Sequence, residues 1–205
     1  MKGPIFILAA LVLGVPLAAA WAAAPAAVQV QIVDERGLPV RDAVVELTPN
    51  GGFRGGAIRF AWKSAMAQKS VAFVPGTLIV PRGSAVAFPN LDSVRHSVYS
   101  FSKAARFEIE LYGRDQTRSH SFPVAGTVAL GCNIHDQMRG YLRVVDTPFA
   151  GKTDQNGIVR LTGMAAGGHQ LTVWHPRART PGGELKRPLA VGAGSASHKI
   201  ALKLR

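Results

Sequence analysis

The densest group of reactive side chains in the sequence is Gly131-Cys132-Asn133-Ile134-His135-Asp136-Gln137-Met138. Cysteine, histidine and methionine follow one another there at C-x2-H-x2-M spacing, between two stretches with strand character. One short loop can turn all three side chains toward one point. A soft thiolate, an imidazole and a thioether together suit copper, whereas calcium and magnesium take oxygen ligands. A blue-copper centre needs one more imidazole. His96 stands 36 residues before the cysteine, at the start of a strand and after a polar turn. Two histidine nitrogens and one thiolate in a near-trigonal plane, with a weak axial thioether, serve Cu(I) and Cu(II) alike. Little then has to rearrange when an electron passes, and no open position for a substrate is required.

The elements that must hold these residues are strands. The chain has 205 residues, 22 Gly, 13 Pro and 18% charged residues, which favours a turn-rich β protein over a helical one. Residues 28–33 alternate apolar and polar, and 43–47 form a second strand ended by Pro49-Asn50-Gly51-Gly52. Residues 50–66 are Gly-rich and basic and read as a linker or long loop. Further strands are predicted at 71–73, 77–80, 84–88, 96–100, 107–111, 119–122, 127–130 and 141–145. After the turn at 153–157 come 158–161 and 169–174, and 185–189 and 199–204 could add edge strands. No convincing long helix follows residue 24, although Lys103-Ala104-Ala105-Arg106 could make one turn. Short strands at regular spacing with turn signals between them argue for a β-sandwich.

The N-terminus points to export. Lys2 supplies a positive start, Ile5 to Leu17 is apolar, and Ala20-Trp21-Ala22 is an A-x-A-type cleavage site, so residues 1–22 read as a cleaved signal peptide. The apolar stretch is short of the roughly 20 residues that span a bilayer. The expected location is periplasmic. Cys132 is the only cysteine, so no internal disulfide can form. A free thiol in an oxidising compartment is either buried and inert or has a job such as holding a metal.

These motifs resemble the cupredoxins, the plastocyanin, azurin and amicyanin family. The C-x2-H-x2-M loop has the compact amicyanin-like spacing. Phe73-Val74-Pro75, Gly83 to Asn90 and Asp92-Ser93-Val94-Arg95-His96 resemble the strand pair and turn that deliver the first ligand in that family. The arrangement is also similar to bacterial proteins called methylamine utilization protein or plastocyanin-like, which share Val-x-x-Gly-x-x-Val-x-Phe-x-Asn-x-Asp…His and a Gly-Cys-Asn-Ile-His loop. The resemblance implies a Greek-key sandwich over 66–146 with one type 1 copper ion. His96, Cys132 and His135 would be its equatorial ligands and Met138 its axial one. Ser97 stands where many cupredoxins have Asn directly after the first histidine, and Asn133 could supply part of that bracing. Arg95, Asp136, Gln137 and Arg139 flank the ligands, which suggests electrostatic docking. The flanks, 28–56 plus 147–205, resemble a carboxypeptidase-regulatory-like (transthyretin-like) small sandwich into which the cupredoxin is inserted. The alternative is one enlarged cupredoxin with extra edge strands.

Rival readings are weaker. Zinc sites collect several Cys, His or carboxylate ligands, and methionine is unusual among them. A Cys–His nucleophile lacks any oxyanion element, and no P-loop, G-x-S-x-G or H-E-x-x-H occurs. No catalytic role is expected. The formal charge of +12 comes from scattered Lys and Arg, with no basic helix or aromatic stacking motif to suggest nucleic acid. It points instead to an acidic redox partner (a cytochrome or periplasmic dehydrogenase) or to peripheral contact with an anionic membrane surface. The expectation is one-electron transfer between such partners. Copper binding or delivery, or a non-redox binding module on the same scaffold, are the alternatives. His120, His169, His175 and His198 lack the Cys and Met context and read as surface or structural, and Trp62 and Trp174 as packing anchors.

Overall fold

The computed structural model describes residues 26–205, and the expected signal peptide over 1–22 lies outside the described residues. β1 (Ala26–Val33) and β2 (Val44–Pro49) come first, and the stretch 50–66 forms no strand. Then follow β3 (Ala67–Gln68), β4 (Phe73–Val74), β5 (Thr77–Pro81), β6 (Ser84–Pro89) and β7 (His96–Ser102). β8 (Ala105–Tyr112), β9 (Thr117–Phe122), β10 (Gly126–Gly131) and β11 (Arg139–Val145) complete that run. The chain ends with β12 (Ala150–Lys152), β13 (Ile158–Met164), β14 (Gly167–Trp174), β15 (Glu184–Val191) and β16 (Ser195–Ala201). The fold is all-β, as the composition and turn spacing predict, and the described residues contain one short 3-10 turn and no α-helix.

The first and last strands share their sheets, in the orders β13-β1-β16 and β12-β2-β14-β15. Their inner faces meet in a core of Val28, Val30, Ile32, Leu47, Leu161 and Leu171, among others. β1 alternates buried and half-buried residues as its Val-Gln-Val-Gln pattern dictates. β2 is buried on both faces: Val45 and Leu47 join that core, while Val44 packs with Ile79, Val145 and Trp174 on the other side.

The intervening strands form a five-stranded sheet, β5-β11-β10-β7-β8, and the short pairs β6-β9 and β3-β4. Val86, Phe88 and Phe122 from the short pairs share one core with Val98, Val128, Leu130 and Leu142 of the large sheet. From β8 the chain crosses to pair β9 with β6, then returns to lay β10 beside β7. That is a Greek-key path, and it brings the start of β7 next to the end of β10. Lys103-Arg106 departs from its expected helical turn. Residues 103 and 104 make a hairpin turn and Ala105 opens β8 opposite Ser102, because the period-two pattern of Phe107 to Leu111 extends back to the buried Ala105. The edge placements of 185–189 and 199–204 hold: β15 ends one sheet and β16, parallel to β1, ends the other.

The two sets of sheets abut through Val44, Ile79, Val145, Ala150 and Trp174 and through a buried charge network. Arg143 of β11 is 3% exposed and donates from Nε to Glu46 of β2 at 2.9 Å and from Nη1 to Glu184 of β15 at 2.6 Å. Its guanidinium also lies 5.7 Å from the Trp174 ring. Burial pushes the Glu46 carboxyl above its usual value despite Arg143. For Glu184, burial pushes up but the hydrogen bonds from Lys186 and Arg143 outweigh it, and the carboxyl sits low. A carboxyl held low in the folded chain contributes stability above its unfolded pKa of about 4.3 and loses it as pH falls through the lower folded value. Glu184→Gln should therefore flatten the dependence of the thermal midpoint on pH below about 4.3, read by scanning calorimetry. A slope equal to that of the parent protein would show that Glu184 carries none of it.

Candidate metal centre

His96 is the first residue of β7 and follows a turn built by Asn90. The Asn90 amide donates from Nδ2 to the carbonyls of Val94 (2.9 Å) and Tyr112 (3.1 Å), and its Oδ1 accepts the Asp92 N–H (2.9 Å). A bulge between His96 and Val98 in the β7–β8 ladder re-aims the histidine, a usual role for bulges beside functional sites. The other donors come from the loop joining β10 to β11. Gly131 closes β10 opposite Arg139 and lies against the Tyr99 ring, where a Cβ would collide. Cys132 begins the loop, and the Met138 N–H returns to the His135 carbonyl at 2.9 Å.

The structure brings three predicted ligands together. Nδ1 of His96 and Nδ1 of His135 are 3.1 Å apart, and Cys132 Sγ is 3.8 Å from the first and 3.7 Å from the second. These three are a metal-compatible group, with all donor atoms inside 4.8 Å. A point about 2.1 Å from every corner of that triangle exists, which matches metal–imidazole bonds of about 2.0–2.1 Å and falls just under metal–thiolate bonds of about 2.3 Å. The donor set and its spacing therefore fit a soft, borderline metal such as copper. Met138, the fourth predicted ligand, is 1% exposed and shares the apolar cluster of Cys132. His96 and Cys132 are buried as well, and His135 is half-buried, so the imidazole of His135 is the donor nearest solvent.

Ser97 does the bracing expected of the position after the first histidine. Its N–H and hydroxyl face Cys132 Sγ at 3.5 and 3.7 Å, and its Oγ accepts the Asn133 N–H at 2.9 Å. Asn133 contributes through that backbone N–H, while its side chain reaches Glu108 at 2.7 Å. Two hydrogen-bond donors aimed at a thiolate draw electron density from the sulfur.

Sequence reasoning gave no role to Asp92, whose Oδ2 lies 2.8 Å from His96 Nε2. With Nδ1 facing the other donors, a metal-holding His96 would carry its proton on Nε2 and donate it to the carboxylate. The signal was a carboxylate four residues before a candidate ligand, a spacing that a turn can close. Burial pushes the Asp92 carboxyl up, but the Val71 N–H, His96 and the Ser70 N–H outweigh it and hold the carboxyl low. The surface around the site is also more apolar than its charged residues suggested. Val71, Leu91, Val94 and Ile134 are all substantially exposed, alongside Arg95, Asp136 and Arg139.

No protein-family model matches the sequence, and no curated protein matches it. Among solved structures the chain is similar to a purple cupredoxin from Nitrosopumilus maritimus, at 20% identity over 40% of this chain and 100% of that one, TM-score 0.37. It is similar to a reduced amicyanin variant at 22% identity, over 51% of this chain and 99% of that one, TM-score 0.38. A copper-containing nitrite reductase from Thermus scotoductus SA-01 is similar at 20% identity, over 47% of this chain and 24% of that one, TM-score 0.39.

The remaining histidines stay apart from this triangle among the described residues. His120 stacks on Phe107 at 3.9 Å and meets Phe122 edge-on, and burial lowers its pKa. His169 is buried, with Nδ1 3.2 Å from the Gly167 carbonyl. Trp174 is a core anchor at 2% exposure, whereas Trp62 is 42% exposed, stacks on Phe60 and donates to the Ile79 carbonyl at 2.7 Å.

Proposed function

We propose that this chain is a periplasmic type 1 copper protein of the cupredoxin kind that carries single electrons between redox partners. The observation that supports this best is the His96–Cys132–His135 triangle, assembled by the strand ends of a Greek-key sandwich. Copper held there would supply a Cu(I)/Cu(II) couple in a donor set that suits both states. The protein's own residues do the rest. β7 and the β10–β11 loop hold the two imidazoles and the thiolate at fixed separation, so little reorganisation accompanies a change of charge. Ser97 tunes the thiolate from the interior side. Burial of Cys132 and Met138 excludes water, and the half-buried His135 gives electrons a short route to the surface.

The charge of +12 favours an acidic partner, a cytochrome or periplasmic dehydrogenase, or contact with an anionic membrane surface. The reading has no catalytic step. We further propose that 66–146 and 28–56 plus 147–205 are two units, the second a support for the first. The test of electron carriage is voltammetry of the copper-loaded protein. A reversible wave with one-electron spacing, about 59 mV per tenfold change in the oxidised-to-reduced ratio, is expected. An irreversible wave, with copper lost on reduction, would favour metal delivery over electron transfer.

A further inference from the structure

Asp92 links the metal centre to a strained hairpin tip. Lys69 and Ala72 exchange backbone hydrogen bonds of 2.9 and 3.2 Å across the two-residue turn Ser70-Val71 between β3 and β4. Both turn residues are left-handed, with φ of 55° and 54°. Turns of this kind are normally made of Asn, Asp and Gly, and a β-branched valine at positive φ is an outlier. Strain of this sort persists where the surroundings over-determine it, and it clusters at functional sites. Here the determinant is visible. The Ser70 N–H donates to Asp92 Oδ1 at 2.6 Å and the Val71 N–H to Oδ2 at 2.9 Å. The same Oδ2 lies 2.8 Å from His96 Nε2. Asn90 fixes the Asp92 backbone, and the Leu91 N–H bonds the Gln68 carbonyl at the base of the hairpin, so both ends of the link are anchored.

We propose that Asp92 is a positioning residue for the metal centre, its carboxylate holding the His96 ring and tautomer from one side while the Ser70-Val71 tip holds the carboxylate from the other. The proposal rests on the copper reading above for its redox consequence, not for its geometry. A carboxylate that accepts Nε2–H leaves Nδ1 free of a proton and directed at Cys132 and His135, and makes the imidazole a richer donor. A richer donor favours Cu(II) over Cu(I), so Asp92 lowers the reduction potential of the centre. The tip amides prevent the carboxylate from swinging to solvent, which explains why Ser-Val is tolerated in a turn that suits Asn-Gly.

The test compares the full chain with Asp92→Asn and Asp92→Ala. Asp92→Asn keeps the shape and one acceptor but removes the charge. In competition with a chelator, Cu(II) affinity should fall about 10- to 100-fold, with Cu(I) affinity falling less. Each tenfold difference between the two states raises the midpoint potential by about 59 mV. Asp92→Ala should shift both further in the same direction. Two readouts need no copper: in metal-free protein, 15N spectra should show one Nε2–H tautomer for His96 in the parent and a mixture in Asp92→Ala. Hydrogen exchange at Ser70 and Val71 should be slow in the parent and fast in Asp92→Ala. Unchanged tautomer and exchange in Asp92→Ala overturn the proposal, whatever copper does. A blue parent with unchanged potential in both variants overturns it while leaving the copper reading intact. A parent that binds no copper overturns the copper reading, while the metal-free spectra still decide the role of Asp92.

Discussion

Arg143→Ala is expected to be the most destabilising single substitution at the junction between the two sets of sheets, costing about 3–5 kcal/mol. Arg143 is 3% exposed and holds two carboxylates, Glu46 and Glu184, whose side chains are 11% and 20% exposed. Removing the guanidinium leaves the Glu46 carboxylate unpaired in the seam and facing Glu184, which keeps only the more exposed Lys186 at 2.7 Å. It also strips Trp174 of the cation 5.7 Å from its ring. The loss of an ion pair is not itself the large term, since a well-packed apolar replacement of a whole buried network can be neutral. The cost comes chiefly from the unpaired Glu46 carboxylate. Arg143→Ala combined with Glu46→Leu and Glu184→Gln should therefore recover much of the loss. Denaturant titration of the single and triple variants measures both numbers. If the single variant loses less than about 1 kcal/mol, the network is no more than a surface pair.

The second large effect is chemical. Cys132→Ser is expected to abolish the thiolate-to-copper absorption and to weaken copper binding by more than about 100-fold, beyond what losing a group that only hydrogen-bonds a ligand costs. Serine preserves the size of the side chain and can still meet Ser97, so the loop between β10 and β11 should keep its form. What is lost is the thiolate of the triangle, leaving two imidazoles. Copper titration of the variant, with circular dichroism as the control for folding, separates loss of the donor from loss of the loop.

The donors of the triangle were legible because Cys132 and His135 share one loop at regular spacing and His96 stands at a strand start after a polar turn. The strands were legible wherever period-two alternation was strong, as in 28–33 and 107–111. β3 and β12 were not, because two and three residues carry no period. The partners of Arg143 were hidden by distance along the chain: Glu46 lies 97 positions away and Glu184 lies 41. No local pattern marks a charge in β11 as buried. Asp92 was visible as a turn residue, but the outliers at Ser70 and Val71 that give it a second role are backbone facts. The charged residues flanking the site hid the apolar character of its surface, since exposure of Val71, Leu91, Val94 and Ile134 follows from how the turns stack.

The most direct test of the central claim is titration of the metal-free protein with Cu(II), followed by visible absorption. The predicted result is an intense blue band that saturates at one copper ion per chain, is bleached by ascorbate and restored by an oxidant, and is absent in Cys132→Ser. A protein that stays colourless at saturation, or whose colour survives the loss of Cys132, would contradict the His96–Cys132–His135 centre and the electron-carrying function built on it.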